Sequence, residues 1–399
     1  MKKAVLFVDD ESNILDGLKR MLRPMQDEVD FFFAESGRDA LEIFAGQHID
    51  VIISDMRMPG MDGATLLAAV QEKYPTTIRI MLSGQADEVS ILQTVGVAHQ
   101  FLAKPVAPEL LKKVLGRACT LQDLMKNEQL KAIVSRLGNL PSLPAIYTEL
   151  QNKLLNPECL IGEVAAIITK DMAMCAKVLQ LVNSAFFGLY KNIDSPVHAV
   201  NLLGLDTIKA LVLGFSVFSE LKTTTSKTFP VGKLWDHSFT TAAFARKIAQ
   251  AETANKQLID TIFMAGIMHD IGKLLLFSSL HDSYIQAVVM AKEQNILLYQ
   301  AEQQVFNSDH SDVGSYLLEL WGLPGGVIEA IAFHHRLDIY PEPSFCPTLA
   351  VHVADVIYYE LFPDRSVGEP PRLNHNYLEQ AGAGERYQVW MDLCREMLL

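Results

Sequence analysis

The sequence predicts an α/β doubly wound, five-stranded parallel sheet followed by an all-α helical domain. Up to about residue 120, short apolar runs alternate with segments in which apolar residues recur every three or four positions. That alternation favours a parallel sheet covered by helices on both faces. After a break at residues 138–144 the helical spacing continues and the strand-like runs disappear, which favours a bundle of helices.

Each apolar run of the first part is followed by a polar residue that could act in catalysis or bind a ligand. In chain order, the runs and the residues that follow them are 4–8 with Asp9 and Asp10, 31–34 with Glu35, 51–54 with Asp55, 78–82 with Ser83, and 101–103 with Lys104. Because the carboxyl ends of parallel strands meet at one edge of an open sheet, we expect these side chains to lie close together.

The residue types in this set point to phosphoryl transfer. Clustered carboxylates repel one another unless a hard cation lies among them, and Mg²⁺ suits one or two carboxylates together with water and a phosphoryl group. We expect Asp55 to attack a phosphoryl donor, Lys104 to neutralise the oxygens, and Ser83 to bond the new phosphoryl group. The alternative is that Asp9 and Asp10 only cap a helix and that Lys104 is a surface charge.

Residues 1–120 resemble the receiver domain of two-component response regulators, which has a flavodoxin-like fold. The resemblance implies a cognate histidine kinase as partner and Mg²⁺ as cofactor. It also implies these roles: phosphoacceptor and metal partner for Asp55, direct metal partner for Asp10, outer metal partner for Asp9, a switch pair of Ser83 and Lys104, and an inward-moving aromatic switch residue for Phe101. Arg57 and Gln85 occupy positions that tune the lifetime of the phosphoryl group in this family.

The overall composition indicates in which cellular compartment the protein acts. The chain has 399 residues, of which 49% are hydrophobic and 20% charged. This composition is typical of globular proteins, and the length is sufficient for two or three hydrophobic cores. No uninterrupted apolar run approaches the ~20 residues that span a bilayer, and the start, Met1-Lys2-Lys3, does not resemble a secretion signal. The five cysteines show no paired spacing, which suggests a reducing compartment. We therefore expect a cytoplasmic protein without membrane contact.

The net charge bears on nucleic-acid binding. The formal charge is −13 and no basic stripe occurs along the chain. Phosphate backbones are bound mainly by clusters of lysine and arginine. We therefore expect no direct binding to DNA, although DNA-binding outputs are common after receiver domains.

Residues 121–139 predict a helical linker. Apolar residues recur there at helical spacing, including Leu121, Leu124, Leu130 and Ile133, with charged residues between them. Such a helix can pair with a second copy of itself and produce a homodimer, which would be the simplest relay of the signal. It can equally pack on its own domain, and the sequence favours neither arrangement.

Residues 140–340 resemble the HDOD domain, a helical module related to HD phosphohydrolases and found in bacterial signalling proteins. The segments that carry this resemblance are Leu140–Pro144, Ile168–Asp171, Leu181–Gly188 and Asn201–Leu205. The resemblance implies a protein-interaction or regulatory module with an unknown downstream protein as its partner. Residues 341–399 are expected to form a C-terminal helical extension that packs on this domain.

Histidines and acids of the second part suggest a metal site. Seven of the eleven histidines fall between positions 237 and 352, in or beside apolar helical segments. Histidine and carboxylate side chains that converge inside a bundle make helical metal sites, and these donors suit Fe, Mn, Zn or Ni. The candidate ligands are His237, His269, Asp270, His310, His334, His335 and Asp355.

The same set resembles the ligand order of HD-domain phosphohydrolases, in particular HD-GYP cyclic-dinucleotide phosphodiesterases. In those enzymes a two-metal centre activates water against a phosphodiester, and Lys273 would match a lysine that contacts the phosphate. The Gly-Tyr-Pro signature and the acid that normally follows the paired histidines are missing, because His335 is followed by residues 336–341, Arg-Leu-Asp-Ile-Tyr-Pro. Two functions therefore stay open: a regulatory module, which is favoured, and a metal-dependent phosphohydrolase controlled by the receiver.

Overall fold

The computed structural model describes residues 2–83, 97–124, 127–136, 141–142, 144–154, 156, 158–183, 193–209, 219–220, 230–340 and 343–398. Several residues singled out in the sequence lie outside these ranges, namely Gln85, Leu140, Leu143, Ser184–Gly188 and Pro341.

The first domain contains the predicted five-stranded parallel sheet. Its strands are β1 (Lys3–Val8), β2 (Val29–Ala34), β3 (Val51–Asp55), β4 (Ile78–Ser83) and β5 (Gln100–Ala103), in the order β2-β1-β3-β4-β5. Each neighbouring pair is parallel. Strands β3 and β4 are buried along their whole length, which explains why their sequences are continuous apolar runs instead of alternating patterns.

Four described helices flank this sheet: α1 (Ser12–Leu22), α2 (Gly37–Gly46), α3 (Gly63–Lys73) and α4 (Pro108–Leu124). The start of α3 is fixed by Asp62, whose side chain accepts a hydrogen bond from the Thr65 N–H at 2.8 Å. Gly63 packs so close to Asp55 that a methyl group on it would overlap the Asp55 carbonyl oxygen. This glycine lets α3 begin directly beside the end of β3.

The second domain is helical, as predicted. Its described helices are α5 (Glu128–Arg136), α6 (Pro144–Leu154), α7 (Ile161–Ile168), α8 (Met172–Val182), α9 (Pro196–Lys209), α10 (Val231–Glu252), α11 (Lys256–Met268), α12 (Ile271–Ser279), α13 (His281–Gln294), α14 (Leu298–Phe306), α15 (His310–Leu320), α16 (Gly325–Phe333), α17 (Pro347–Leu361), α18 (His375–Gln380) and α19 (Arg386–Glu396). Two short strands that the sequence did not predict, β6 (Pro141–Ser142) and β7 (Ser219–Glu220), pair in parallel.

The predicted linker packs on the second domain of its own chain. Helices α4 and α5 both contact α15, and Leu130 and Val134 of α5 are buried. The described part of this segment therefore packs on a helix of the domain that follows it. A homodimer formed through the linker stays a prediction.

The segment predicted as a C-terminal extension supplies a core helix. Helix α17 is buried from Thr348 to Tyr358 and packs against α10, α11 and α16. Farther along, Trp390 of α19 is fully buried and donates its indole N–H to Glu252 of α10 at 2.9 Å. The helical bundle therefore draws on residues well beyond position 340.

One helical stretch of the described chain, Lys256–Ser279, is long and apolar enough to cross a membrane by length and composition alone. Of its most apolar window, 83% is buried inside the protein. This stretch comprises α11 and α12, which pack against α10, α15, α16 and α17. Its apolar character is explained by its place in the core of the bundle.

Candidate functional sites

The register of the sheet gathers the strand-end residues at one edge. The neighbouring pairs at this edge are Val8 with Ser54, Asp55 with Leu82, and Ser83 with Ala103. Asp9 and Lys104 come directly after two of these strands. The placement predicted from the sequence is therefore what the strand pairing produces.

Lys104 makes the closest contacts at this edge. Its Nζ lies 2.7 Å from Asp9 Oδ2 and 2.5 Å from Asp55 Oδ1. Asp9 and Asp55 are buried, whereas Asp10 is exposed to solvent. The other oxygen of Asp55 accepts a hydrogen bond from the Arg57 N–H at 3.2 Å. Asp9, Asp55 and Lys104 thus form one cluster, and Asp10 follows Asp9 at an exposed position.

Burial and Lys104 shift the pKa of Asp55 in opposite directions. Burial raises the pKa of Asp55 above its ordinary value, while the hydrogen bond and the charge of Lys104 limit the rise. Burial alone would lower the pKa of Lys104. The hydrogen bonds to Asp55 and Asp9 have the larger effect, so the Lys104 pKa is raised. The ammonium therefore stays charged beside the carboxylates, an arrangement that suits an incoming phosphoryl group.

The predicted switch residues Ser83 and Phe101 are both buried. Ser83 Oγ has no hydrogen-bond partner within the part of the chain that the structure describes. A buried hydroxyl without a partner calls for an explanation, and a ligand that binds there is one. The ring of Phe101 is 2% exposed and therefore occupies an inward position in this structure.

The donors at this edge fit a magnesium ion. Asp9, Asp10 and Asp55 offer only oxygen atoms, which this hard cation prefers. They come from the ends of the adjacent strands β1 and β3. Asp10, which is open to solvent, is accessible to a hydrated ion.

The second candidate site lies among the helices of the second domain. The structure brings together all seven predicted side chains: His237 from α10, His269 and Asp270 from the junction of α11 and α12, His310 from the start of α15, His334 and His335 from the end of α16, and Asp355 from α17. They form two groups that share Asp270.

The first cluster consists of His237, His269, Asp270 and Asp355. The Nε2 atom of His237 lies 3.0 Å from His269 Nε2 and 3.4 Å from Asp270 Oδ2. The same atom lies 3.2 Å from Asp355 Oδ1. All four side chains are buried. Nitrogen and oxygen donors that converge in this way are typical of a transition-metal site.

The second cluster consists of Asp270, His310, His334 and His335. His310 Nε2 lies 3.4 Å from Asp270 Oδ1 and 3.2 Å from His335 Nε2. Asp270 therefore directs Oδ2 towards the first cluster and Oδ1 towards the second. A carboxylate shared by two donor clusters is suited to a two-metal site.

Hydrogen bonds at Nδ1 orient two of the imidazole rings. His269 Nδ1 donates to the Gly266 carbonyl at 2.7 Å, and His334 Nδ1 donates to the Ile331 carbonyl at 2.8 Å. Because a carbonyl oxygen only accepts, the proton lies on Nδ1 and Nε2 keeps its lone pair for a metal. His334 Nε2 is buried without a hydrogen-bond partner among the described residues, as expected of a metal-binding nitrogen.

Glu302 contacts this site, although the sequence did not predict it. It is fully buried, and its Oε2 lies 2.6 Å from His310 Nδ1 and accepts the His310 backbone N–H at 2.9 Å. A carboxylate behind a histidine ligand fixes the ring and strengthens its other nitrogen as a donor. The signal available in the sequence was an acid on the apolar face of α14, at helical spacing from Leu298 and Phe306.

Burial sets the protonation of the paired histidines. It holds the pKa of both His334 and His335 well below the ordinary value, so both rings are neutral, which is the metal-binding form. Burial opposes the charge of Asp270, but His269 and Lys273 outweigh it and hold the Asp270 pKa well below its usual range. The shared acid is therefore a carboxylate.

A cavity of about 220 Å³ gives access to both clusters. Its walls include His237, Asp270, His310, His335 and Asp355 from the clusters, the cations Lys233, Lys273, Lys292 and Arg365, and the aromatic residues Tyr299, Tyr358 and Tyr359. Lys273 Nζ lies 2.8 Å from Asp270 Oδ2. The acids Asp364 and Glu369 also line the cavity, so its walls carry charges of both signs.

Comparisons with known proteins match both parts of this architecture. The response regulator receiver domain matches residues 5–116, and the HDOD domain matches residues 140–337. An uncharacterized protein of Treponema pallidum (strain Nichols) is 29% identical over 211 residues, which cover 53% of this chain and 40% of that protein. The chain spans less than half the length of that relative.

Two further matches each cover just under a third of this chain. The hydrogenase transcriptional regulatory protein HoxA of Cupriavidus necator is 34% identical over 122 residues, which cover 30% of this chain and 25% of HoxA. The signal receiver domain of an HD domain-containing protein from Pseudomonas fluorescens Pf-5 is 31% identical, covers 31% of this chain and 100% of its own, and has a TM-score of 0.30. The two domain matches show that the chain belongs to the proteins that join an N-terminal response regulator receiver domain to a C-terminal HDOD domain.

Proposed function

We propose that this chain is a two-component response regulator that a cognate histidine kinase phosphorylates on Asp55. The observation that carries the proposal is the position of Lys104 Nζ, 2.7 Å from Asp9 and 2.5 Å from Asp55. A fixed cation beside a buried carboxylate stabilises the charge that develops when that carboxylate takes up a phosphoryl group. The protein would act in the cytoplasm, and its net charge of −13 argues against a DNA-binding output.

Each residue at the sheet edge has its own role in this proposal. The Arg57 N–H holds one oxygen of Asp55 and so fixes the orientation of the attacking carboxylate. Mg²⁺, held by Asp9, Asp10 and Asp55, would supply neutralisation of the phosphoryl oxygens. The Ser83 hydroxyl, which has no partner among the described residues, would donate to an oxygen of the phosphoryl group on Asp55.

Incubation with acetyl phosphate and Mg²⁺, followed by mass spectrometry of the intact protein, tests the assignment. We expect one phosphoryl adduct, absent from Asp55→Asn and retained in the matched control Asp16→Asn, whose carboxylate is exposed on α1. Removal of divalent cations should prevent the adduct from forming. An adduct of equal yield in Asp55→Asn would overturn the proposal.

For the helical domain we propose metal-dependent hydrolysis of a phosphoester as a second function, beside the regulatory, protein-binding role that the HDOD match suggests. The observation that favours it is Asp270, which offers one oxygen to each of two buried donor clusters. Lys273 compensates for part of the negative charge of the buried acids in these clusters, and a bound cation would compensate for the rest. A purely protein-binding surface does not need these donor clusters.

The donor set fits Fe, Mn, Zn or Ni better than Ca. One ion would be held by His237, His269, Asp270 and Asp355, and a second by Asp270, His310, His334 and His335. Bound metal would supply an activated water molecule. Lys273 lines the cavity next to Asp270, where its ammonium would hold the phosphate of the substrate.

Metal analysis of protein purified without chelator tests this second function. We expect a transition metal in stoichiometric amount, lost in the double variant His269→Ala/Asp270→Ala and retained in His375→Ala, whose ring is exposed. Hydrolysis of bis(p-nitrophenyl) phosphate should follow the metal content. Metal-free protein without hydrolysis that still exchanges partners on phosphorylation would instead support the protein-binding role.

A further inference from the structure

A single helix contacts the second candidate site at one end and the start of receiver strand β5 at the other. Helix α15 has 11 residues and is about 16 Å long at 1.5 Å per residue. Its first residue is His310 of the second donor cluster. Its last turn lies against β5 of the receiver sheet. A displacement at one end of this helix therefore moves the residues at its other end.

The contact at the receiver end is made by Gln100, the first residue of β5. Its Nε2 donates to the carbonyl oxygens of Glu319 and Leu320, at 3.2 and 3.1 Å. Carbonyl groups in the last turn of a helix have no partner within the helix, so this side chain caps α15 from outside. Gly322, at φ +70°, lies beside it, and a methyl group there would come within 3.3 Å of Gln100 Cδ.

Further contacts hold the same helix against the receiver side. Arg117 of α4 places Nε 3.2 Å from Glu319 Oε1. Tyr316 of α15 lies 3.4 Å from the Ser135 hydroxyl of α5. The Ser135 carbonyl in turn accepts a hydrogen bond of 2.6 Å from Arg79 of β4. The position of α15 is thus set by β5, α4 and α5 together.

At the other end, helices α12 and α15 are in close contact. A methyl group on Gly272 of α12 would overlap the carbonyl oxygen of His310, and one on Gly314 would lie 3.2 Å from the Gly272 nitrogen. The His310 ring is held by Glu302 and lies 3.4 Å from Asp270 Oδ1. Close-packed interiors transmit displacements instead of absorbing them. Movement of α15 therefore changes the geometry of the second donor cluster.

Strand β5 leads from this contact to the phosphorylation site. Phe101 follows Gln100 directly, and Lys104, which contacts Asp55, comes at the end of the same strand. We infer that the phosphorylation state of Asp55 sets the metal affinity of the cluster around His310, with Gln100 and α15 as the coupling elements. This inference rests on both parts of the proposed function.

Coupling between two binding sites is reciprocal. If a phosphoryl group at Asp55 changes metal affinity by some factor, metal must change the affinity of the receiver for a phosphoryl analogue by the same factor. Beryllium fluoride, which mimics an aspartyl phosphate, makes both directions measurable at equilibrium. Neither measurement depends on catalytic activity.

Calorimetric titration of the full-length, metal-free protein with Mn²⁺, in constant Mg²⁺ with and without beryllium fluoride, tests the inference. We expect the Mn²⁺ affinity of the wild type measured with beryllium fluoride to differ from that measured without it by about 5- to 150-fold. In Gln100→Ala the difference should fall below about twofold, while the affinity without beryllium fluoride is kept, because the variant leaves all metal donors in place. Gln47→Ala, exposed beyond the end of α2, should behave as the wild type.

The possible failures are distinguishable. Absence of Mn²⁺ binding in both states would refute the proposed metal site, and absence of a ¹⁹F signal from bound beryllium fluoride would refute the proposed phosphorylation site. Mn²⁺ binding that is independent of bound beryllium fluoride in the wild type would overturn the inference itself. If Gln100→Ala fails to fold by circular dichroism, Arg117→Ala replaces it, and full retention of the coupling there would count against the helix as the route.

Discussion

Lys177 illustrates how a single residue is changed by its surroundings. It lies fully buried in α8, with Nζ 5.0 Å from the centre of the Trp321 ring. Burial lowers its pKa from the ordinary value of 10.5 to about 7. Between these two values the unfolded chain binds more protons than the folded protein, so stability rises with pH across this window.

Replacement of Lys177 by methionine should therefore stabilise the protein most at pH 7 and below. Methionine keeps the packing volume and carries no charge that burial would penalise. The gain in melting temperature over the wild type should shrink as pH rises towards 10, because the wild-type lysine then loses its proton in both states. Thermal melts at several pH values measure this, and Lys113→Met, at an exposed position, should show no such trend.

A second prediction at the residue scale concerns Glu302. Glu302→Gln removes the charge that orients His310 while keeping the size of the side chain. Metal affinity should fall by about 10- to 100-fold, as is typical when the partner behind a ligand is lost. Titration with Mn²⁺ measures the loss, and Glu293→Gln, exposed on α13, is the control. An unchanged affinity would show that Glu302 has only a structural role.

At the scale of elements, the strand ends could be predicted from the sequence and several helix contacts could not. Continuous apolar runs followed by a polar residue locate Asp55 and Ser83, because a parallel sheet aligns its carboxyl ends. The close contact of α12 with α15 depends on Gly272 lying against the His310 backbone. A glycine in a helical stretch of the sequence does not reveal which other helix approaches it.

Substitution of Gly272 by alanine tests that contact. The added methyl group would overlap the His310 carbonyl oxygen and push α12 away from α15, at a cost of about 1–3 kcal/mol in unfolding free energy. Metal affinity should decrease with it, since Asp270 directly precedes α12 and His310 is the first residue of α15. Urea unfolding and metal titration are the measurements. Gly232→Ala, with open space around it, should be neutral or stabilising by up to about 1 kcal/mol.

At the scale of the whole molecule, the two domains share a buried polar network around Arg79. This β4 residue is 1% exposed, and its guanidinium lies 2.8 Å from His99 Nε2 and 2.6 Å from the Ser135 carbonyl. Gln180 of α8 donates to the His99 carbonyl at 3.1 Å. Sequence patterns predicted each domain separately because periodicity is local, and they could not predict contacts between residues 56 or 81 positions apart.

Arg79→Lys should therefore weaken the association of the domains. Lysine cannot reproduce the planar set of donors that reaches several acceptors at once, and each buried acceptor left without its partner costs about 1–3 kcal/mol. We expect a lower melting temperature and faster amide hydrogen exchange in α5 and β5. The control Arg38→Lys, at an exposed position, should leave both unchanged.

The shared carboxylate of Asp270 has a consequence for how ions would be loaded. Its two oxygens belong to one rigid planar group. The first bound cation would therefore fix the orientation of the Asp270 carboxylate and place its second oxygen for a cation in the other cluster. Filling would then be cooperative, and a titration curve would rise more steeply than two unlinked sites permit. Scarce metal would produce a mixture of empty and doubly loaded molecules, with few that hold a single ion.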